Sequence, residues 1–207
     1  MVEVPPDTRL DRRQRRWLQV HDAIYDAACE LFGESGFDET SFGQIAERAD
    51  VARKTVFNHF PRKRDFVSEW GRRRRAQVLA HLSDELLAQP SLDTVLRHYY
   101  TELAKLYETE RAFSIRMLLG WRSLGGPFDD DPHRMIGQVG EFIVAAQKRG
   151  EVGKDINPGW IATMLYSTYF GLLYDWCKGD VDKPPFNLRK AFLQAVGVVV
   201  DGVQVKR

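Results

Sequence analysis

Residues 48–60 read RADVARKTVFNHF and gather hydrogen-bond donors and rings around one tight turn. Arg53 and Lys54 are donors of the kind that address guanine O6 and N7, and Asn58 can pair bidentately with adenine. Thr55 and His59 have the reach for phosphate oxygens, contacts that position an element without reading sequence. Val56 and Phe60, four residues apart, can pack inward with Ile45 and Val51. That leaves Arg53, Lys54, Phe57 and Asn58 on a basic, hydrogen-bonding face at the start of a helix, a surface suited to the major groove of DNA. An isolated Arg-Lys pair is ordinarily just solvated, so the reading depends on the surrounding elements.

Those elements are short helices. Trp17, Val20, Ile24, Ala28 and Leu31 recur at helical spacing and predict one amphipathic helix over about 17–34, ended by Gly36. Thr40 and Ser41 are N-cap candidates for a second helix, FGQIAERA. Asp50-Val51 turns the chain, and a third helix, RKTVFNH, stops at Pro61; the second and third make a helix-turn-helix. Lys63, opening the next helix, adds its charge to that helix's dipole at a phosphate. From Arg53 to Arg75 there are nine Lys or Arg against two acids, although the formal net charge of the chain is only +1.

Beyond Lys63 the pattern predicts helices at roughly 63–89, 92–109, 111–124, 132–150, 158–178 and 186–204, parted by Pro90, Gly125-Gly126-Pro127, Gly150, Gly153 and Pro184-Pro185. No strand-like alternation appears. The expected fold is all-α, about nine helices, with a small three-helix head and a larger helical-bundle body. Cys29 and Cys177 have no paired spacing, which predicts free thiols in a reducing cytosol. The first residues lack the apolar core of a signal peptide, so a cytoplasmic location is expected. The 19 uncharged residues between Asp155 and Asp175 stand alone in a chain of mean hydropathy −0.39. They read as a helix buried in a core and against a partner, not as a membrane span.

The stretch FGESGFDETSFGQIAERADVARKTVFNHFPRKRDFV resembles the DNA-binding region of the tetracycline-repressor (TetR) family of transcriptional regulators, over about residues 17–67. The resemblance implies a homodimer that binds double-stranded, pseudo-palindromic operator DNA and is released by a small molecule. By position, it implies phosphate contacts from Thr40 and Ser41, base reading by Arg53 and Lys54, and backbone contacts from Thr55, Phe57, His59 and Lys63. The domains expected are a basic arm (1–16), the helix-turn-helix domain (17–62) and a ligand-sensing, dimerising domain (63–207). The chain departs from the family pattern at Asp50, usually Gly, and at Ala52, usually a capping Ser or Thr. It departs again at Phe57, often Tyr, and at Arg62, usually a cap.

The body is rich in aromatics, and Trp121, Tyr166, Tyr169 and Phe170 are expected to wall a pocket for an apolar or aromatic effector, with Arg116, Arg122 and His98 as polar candidates. Dimerisation is expected through the last two helices, with Ala191, Ala195, Val199 and Val203 as an apolar stripe. Arg72–Arg75 are expected to pair with acids. The leader arginines (Arg9, Arg12, Arg13, Arg15, Arg16) form either a DNA-contacting arm or a solubilising tail. His81, Asp84 and Glu85 share a helix face that is ordinarily just solvated, and the acidic run 129–131 reads as a loop. No metal, cofactor or catalytic residue is expected, since no phosphate loop, nucleophile elbow or HExxH occurs. The reading is a one-component regulator, a repressor. The alternatives are a regulator answering to a protein partner or to no ligand and, more distantly, a helical enzyme or carrier.

Overall fold

Asp11 opens the first helix. Its carboxylate accepts from the backbone N–H of Gln14 at 2.7 Å, and the Gln14 side chain accepts from the N–H of Asp11 at 2.9 Å. Helix α1 (Arg12–Glu34) therefore begins well before Trp17, where the apolar periodicity starts. The hydrophobic pattern marks where the helix gains a core; the cap marks where it gains its hydrogen bonds. Arg12, Arg13, Arg15 and Arg16 are consequently helical and exposed within α1, and Arg9 lies outside the described residues.

The structure, a computed structural model, describes residues 11–80, 91–127 and 133–204; His81, Asp84, Glu85 and the acidic run 129–131 lie outside them. Nine helices and no strand occur among the described residues, and the chain divides into two compact units, Met1–Phe66 and Val67–Arg207.

In the first unit, α1 buries Ile24, Tyr25, Ala28, Leu31 and Phe32. Gly36, at φ +96°, carries the chain out of it, a conformation that a side chain would disfavour. Helix α2 (Phe42–Arg48) starts on a Ser41–Gln44 capping box. Helix α3 (Arg53–His59) follows, and α4 (Lys63–Ala80) begins beyond Pro61. Ile24, Ile45, Val56, Phe60 and Phe66 form the core, each at most 2% exposed. Phe60 stacks on Phe66 with ring centroids 4.1 Å apart.

The second unit is built around α5 (Leu92–Thr109), which packs on α9 (Leu188–Val203), α7 (His133–Lys148) and α6 (Arg111–Ser123), while α8 (Pro158–Trp176) lies against α7 and α9. Asn157 and Asn187 cap α8 and α9 through their side-chain oxygens, and Pro158 takes the first helical position of α8, where its missing N–H costs nothing. The apolar α8 turns out two-faced: Leu165, Tyr169 and Leu173 are buried, whereas Trp160 is 75% and Met164 55% exposed. No described helix is long and apolar enough to cross a membrane. On α9 the buried stripe is Phe192, Val196, Val200 and Val203, so Ala191, Ala195 and Val199 are only half-buried beside it. Arg72 and Arg73 pair with Glu69, and Arg74 pairs with Glu110 while lying 4.1 Å above the Trp70 ring.

Candidate nucleic-acid interface

The turn into α3 explains the departures in its sequence. Asp50 sits at φ +51°, the left-handed conformation that glycine enters freely and that Asp and Asn tolerate best among other residues. The N–H of Val51 closes the turn on the Ala46 carbonyl oxygen at 3.0 Å. Ala52 stands at the N-cap of α3 and makes no side-chain cap bond. At α4 the reciprocal half of a capping box is present: the Asp65 carboxylate accepts from the Arg62 N–H at 2.8 Å and from the Arg62 guanidinium.

Helix α3 is cleanly divided. Val56 is fully buried, while Arg53, Lys54, Phe57 and Asn58 are exposed. Phe57 stacks on Phe42 of α2 at 4.5 Å, and the Arg53 guanidinium lies 5.6 Å from the Phe57 ring centre. Phe57 thus steadies the arginine beside it, a contact that needs no hydroxyl. Ser41 is exposed at the start of α2, where its Oγ also donates to Gln44 at 2.8 Å.

Four residues sit deeper. Thr40 is buried, 3% exposed, and its hydroxyl donates to the Gly36 carbonyl at 2.8 Å, so the side chain holds the loop and offers little to a phosphate. Thr55 is half-buried. The Lys63 ammonium donates to the Asp38 carbonyl oxygen at 3.0 Å and lies 4.8 Å above the Phe37 ring; burial lowers its pKa against the opposing pull of Asp38 and Glu39. His59 lies in a ring cluster, 4.6 Å from Trp17 and 5.6 Å from His21. Burial, seconded by the nearby His21, holds its pKa below the ordinary value and favours neutral imidazole.

In the second unit the four rings expected at a pocket do meet. Phe170 is the hub, 5.4 Å from Trp121, 4.9 Å from Tyr166 and 4.8 Å from Tyr169. Both hydroxyls among these rings are engaged: Tyr166 donates to the Pro127 carbonyl at 3.0 Å, and the Tyr169 hydroxyl shares a 2.6 Å bond with that of Tyr107. The buried hydroxyls of Tyr99 and Tyr100, by contrast, have no hydrogen-bond partner among the described residues. Burial raises the pKa of both, so they stay neutral. Adjacent tyrosines on a helix with a strong apolar face were their one sequence signal. Arg116 and Arg122 are exposed and His98 is half-buried. An open cleft of about 930 Å³ lies elsewhere in this unit, at the start of α6 and before α9, lined by Arg111, Phe113, Trp176 and Phe186 among others. Arg111, which sequence reasoning missed, is buried with its guanidinium donating to the carbonyl oxygens of Trp176, Asp180 and Val181.

Comparison with known proteins agrees with this geometry. The model of "Bacterial regulatory proteins, tetR family" matches residues 24–69. The transcriptional regulator UidR of Escherichia coli is 21% identical over 202 residues, 94% of this chain and 97% of that protein. A protein named as a mycofactocin biosynthesis transcriptional regulator, MftR of Mycobacterium tuberculosis, is 30% identical over 193 residues, 86% of this chain and 88% of its own. The crystal structure of Thermus thermophilus FadR, a TetR family repressor in complex with lauroyl-CoA, superposes with a TM-score of 0.71 at 24% identity, covering 90% of this chain and 96% of that one. The likeness to MftR runs through body as well as head, and the chain belongs to the TetR family of bacterial transcriptional regulators.

Proposed function

We propose that this regulator is a cytoplasmic repressor that binds a pseudo-palindromic operator as a homodimer and leaves it when a small apolar molecule enters the second unit. The observation that carries the DNA half is the division of α3, with Val56 in the core and Arg53, Lys54 and Asn58 on the open face. Arg53 and Lys54 read guanine edges, Asn58 reads adenine, and Ser41, Thr55 and Lys63 address the backbone. Trp160, Met164 and the 75% exposed Val198 supply apolar surface on α8 and α9 for the homodimer. Binding to DNA selected from a random pool tests the reading. With about eight phosphates neutralised per dimer, log K falls with a slope near −7 in log[salt]. Lys54→Ala relaxes base preference, whereas a salt-independent affinity refutes the assignment.

The ligand half is supported by the unpaired hydroxyls of Tyr99 and Tyr100, which suit an apolar ligand carrying one or two hydrogen-bond acceptors. The lauroyl chain of the lauroyl-CoA bound by Thermus thermophilus FadR is apolar and ends on a single thioester carbonyl acceptor, whereas its coenzyme A part is a polar polyanion. A second reading, regulation without a ligand, draws on the committed hydroxyls of Tyr166 and Tyr169 and on the close ring contacts at Phe170. Quenching of Trp121 fluorescence by planar and acyl compounds, followed by operator-release assays, separates the two. Tyr166→Ala weakens a ligand among the rings, and Phe186→Ala one in the open cleft. If no quenching compound releases DNA, the ligand-free reading stands.

A further inference from the structure

The first unit partitions its charge sharply along the chain. Residues 11–21 and 51–64 carry nine Lys or Arg and one acid, Asp11, whereas residues 22–50 carry eight acids and one base, Arg48. That base is already held by Glu30 and Glu34. The basic share therefore comprises α3, the start of α4 and the first turns of α1. Arg12, Arg13, Arg15 and Arg16 are all exposed, and no side-chain hydrogen bond or ion pair among the described residues holds them.

For the helix alone this placement is unfavourable. Four cations crowd the positive end of the α1 dipole, and the single N-cap carboxylate of Asp11 offsets them only in part. A polyanion beside that end removes the penalty. The packing of α1 says where such a polyanion would lie. Trp17, one turn beyond Arg13, packs against His59, the last residue of α3, with the ring centroids 4.6 Å apart and the planes tilted by 31°, and His21, one turn further, stacks at 4.4 Å on Phe60. The first turns of α1 are thus seated against the end of the base-reading helix, and their arginines continue its basic surface.

We infer that the first turns of α1 form a second, rigid phosphate-binding element. Arg12, Arg13, Arg15 and Arg16 engage the DNA backbone outside the base pairs that α3 reads, and Trp17 on His59 is the seat that positions them. The inference rests on the DNA-reading role of α3. Successive helical residues are about 100° apart, so the four cannot all face one duplex, and one or two phosphates per subunit is the expected engagement. Guanidinium groups suit the task because they hold phosphate oxygens bidentately.

The test compares two duplexes selected by the protein, one ending at the outer bases that α3 reads and one extended by half a helical turn at each end. Wild type binds the extended duplex more tightly. The variant with Arg12, Arg13, Arg15 and Arg16 all changed to Gln, which keeps helix propensity, binds both duplexes alike. On the extended duplex its salt slope is shallower by about 2 to 4, with base preference unchanged. Trp17→Ala loses the same dependence on flank length without any change of charge, and Trp17→Phe keeps it. Equal wild-type affinity for the two duplexes, a comparison that needs no variant, overturns the inference. So does an unchanged slope in the quadruple variant. A wild-type protein that binds no selected duplex overturns the DNA reading as well as this inference.

Discussion

The two compact units solve different problems with the same material. In Met1–Phe66 one long helix and two short ones are bounded by local signals: the Asp11–Gln14 and Ser41–Gln44 capping boxes, the left-handed Asp50, and the stop at Pro61. In Val67–Arg207 the helices, also capped where α8 and α9 begin, enclose a larger core, and its centre is a web of tyrosines whose hydroxyls, among the described residues, are partly paired and partly not. The first unit keeps its chemistry on the outside, where residue type and spacing must suit DNA. The second keeps its chemistry inside, where many ring arrangements fill the same volume. A surface of the first kind can be read from sequence far better than an interior of the second kind.

The largest expected effect breaks the first unit through its small core. Phe60, 2% exposed, stacks on both His21 and Phe66, so Phe60→Ala leaves a cavity worth about 3–5 kcal/mol. Hydrogen exchange should show the amides of α2 and α3 losing protection while α5 keeps its own. Equal loss in both would mean that the units do not unfold separately. The matching experiment in the second unit is smaller. Tyr107→Phe strands the Tyr169 hydroxyl in the core, at a cost of about 1–3 kcal/mol, and the Tyr107→Phe, Tyr169→Phe pair costs less than the sum of the singles. Strict additivity in denaturant titrations would argue against that bond.

Smaller still is a gain. Ala52 leaves α3 without a side-chain cap, and Ala52→Ser should stabilise the first unit by about 1 kcal/mol, seen as a higher denaturation midpoint. The smallest effect is pH dependence from His59. Its folded pKa is depressed below 6.5, so as pH falls past that value the unfolded chain takes up a proton before the folded one does. Stability is then fully present above about pH 6.5 and declines as pH falls through the folded pKa. His59→Gln should flatten that part of the profile, and an unchanged profile would place the titration elsewhere.

The helix-turn-helix was legible in residues because each of its signals is local. Ile45, Val56 and Phe60 are core, and Arg53, Lys54 and Asn58 are surface, because helical spacing alone assigns them to opposite faces. Other site residues were legible only by type. Lys63, Thr40 and His59 looked like phosphate ligands, but a carbonyl oxygen 25 residues away in the chain, a loop oxygen and a ring cluster claim them in part.

By itself the sequence determined an all-α chain, its helix-turn-helix and the basic outer face of the third helix, because helix periodicity, caps and breakers act over a few residues. Only the tertiary structure decided which tyrosine hydroxyls in the body find partners, which half of α8 meets the core, and that Trp17 seats the arginine-rich start of α1 on His59. Those outcomes depend on contacts between residues tens of positions apart, where a side chain's type permits many neighbours and packing selects one.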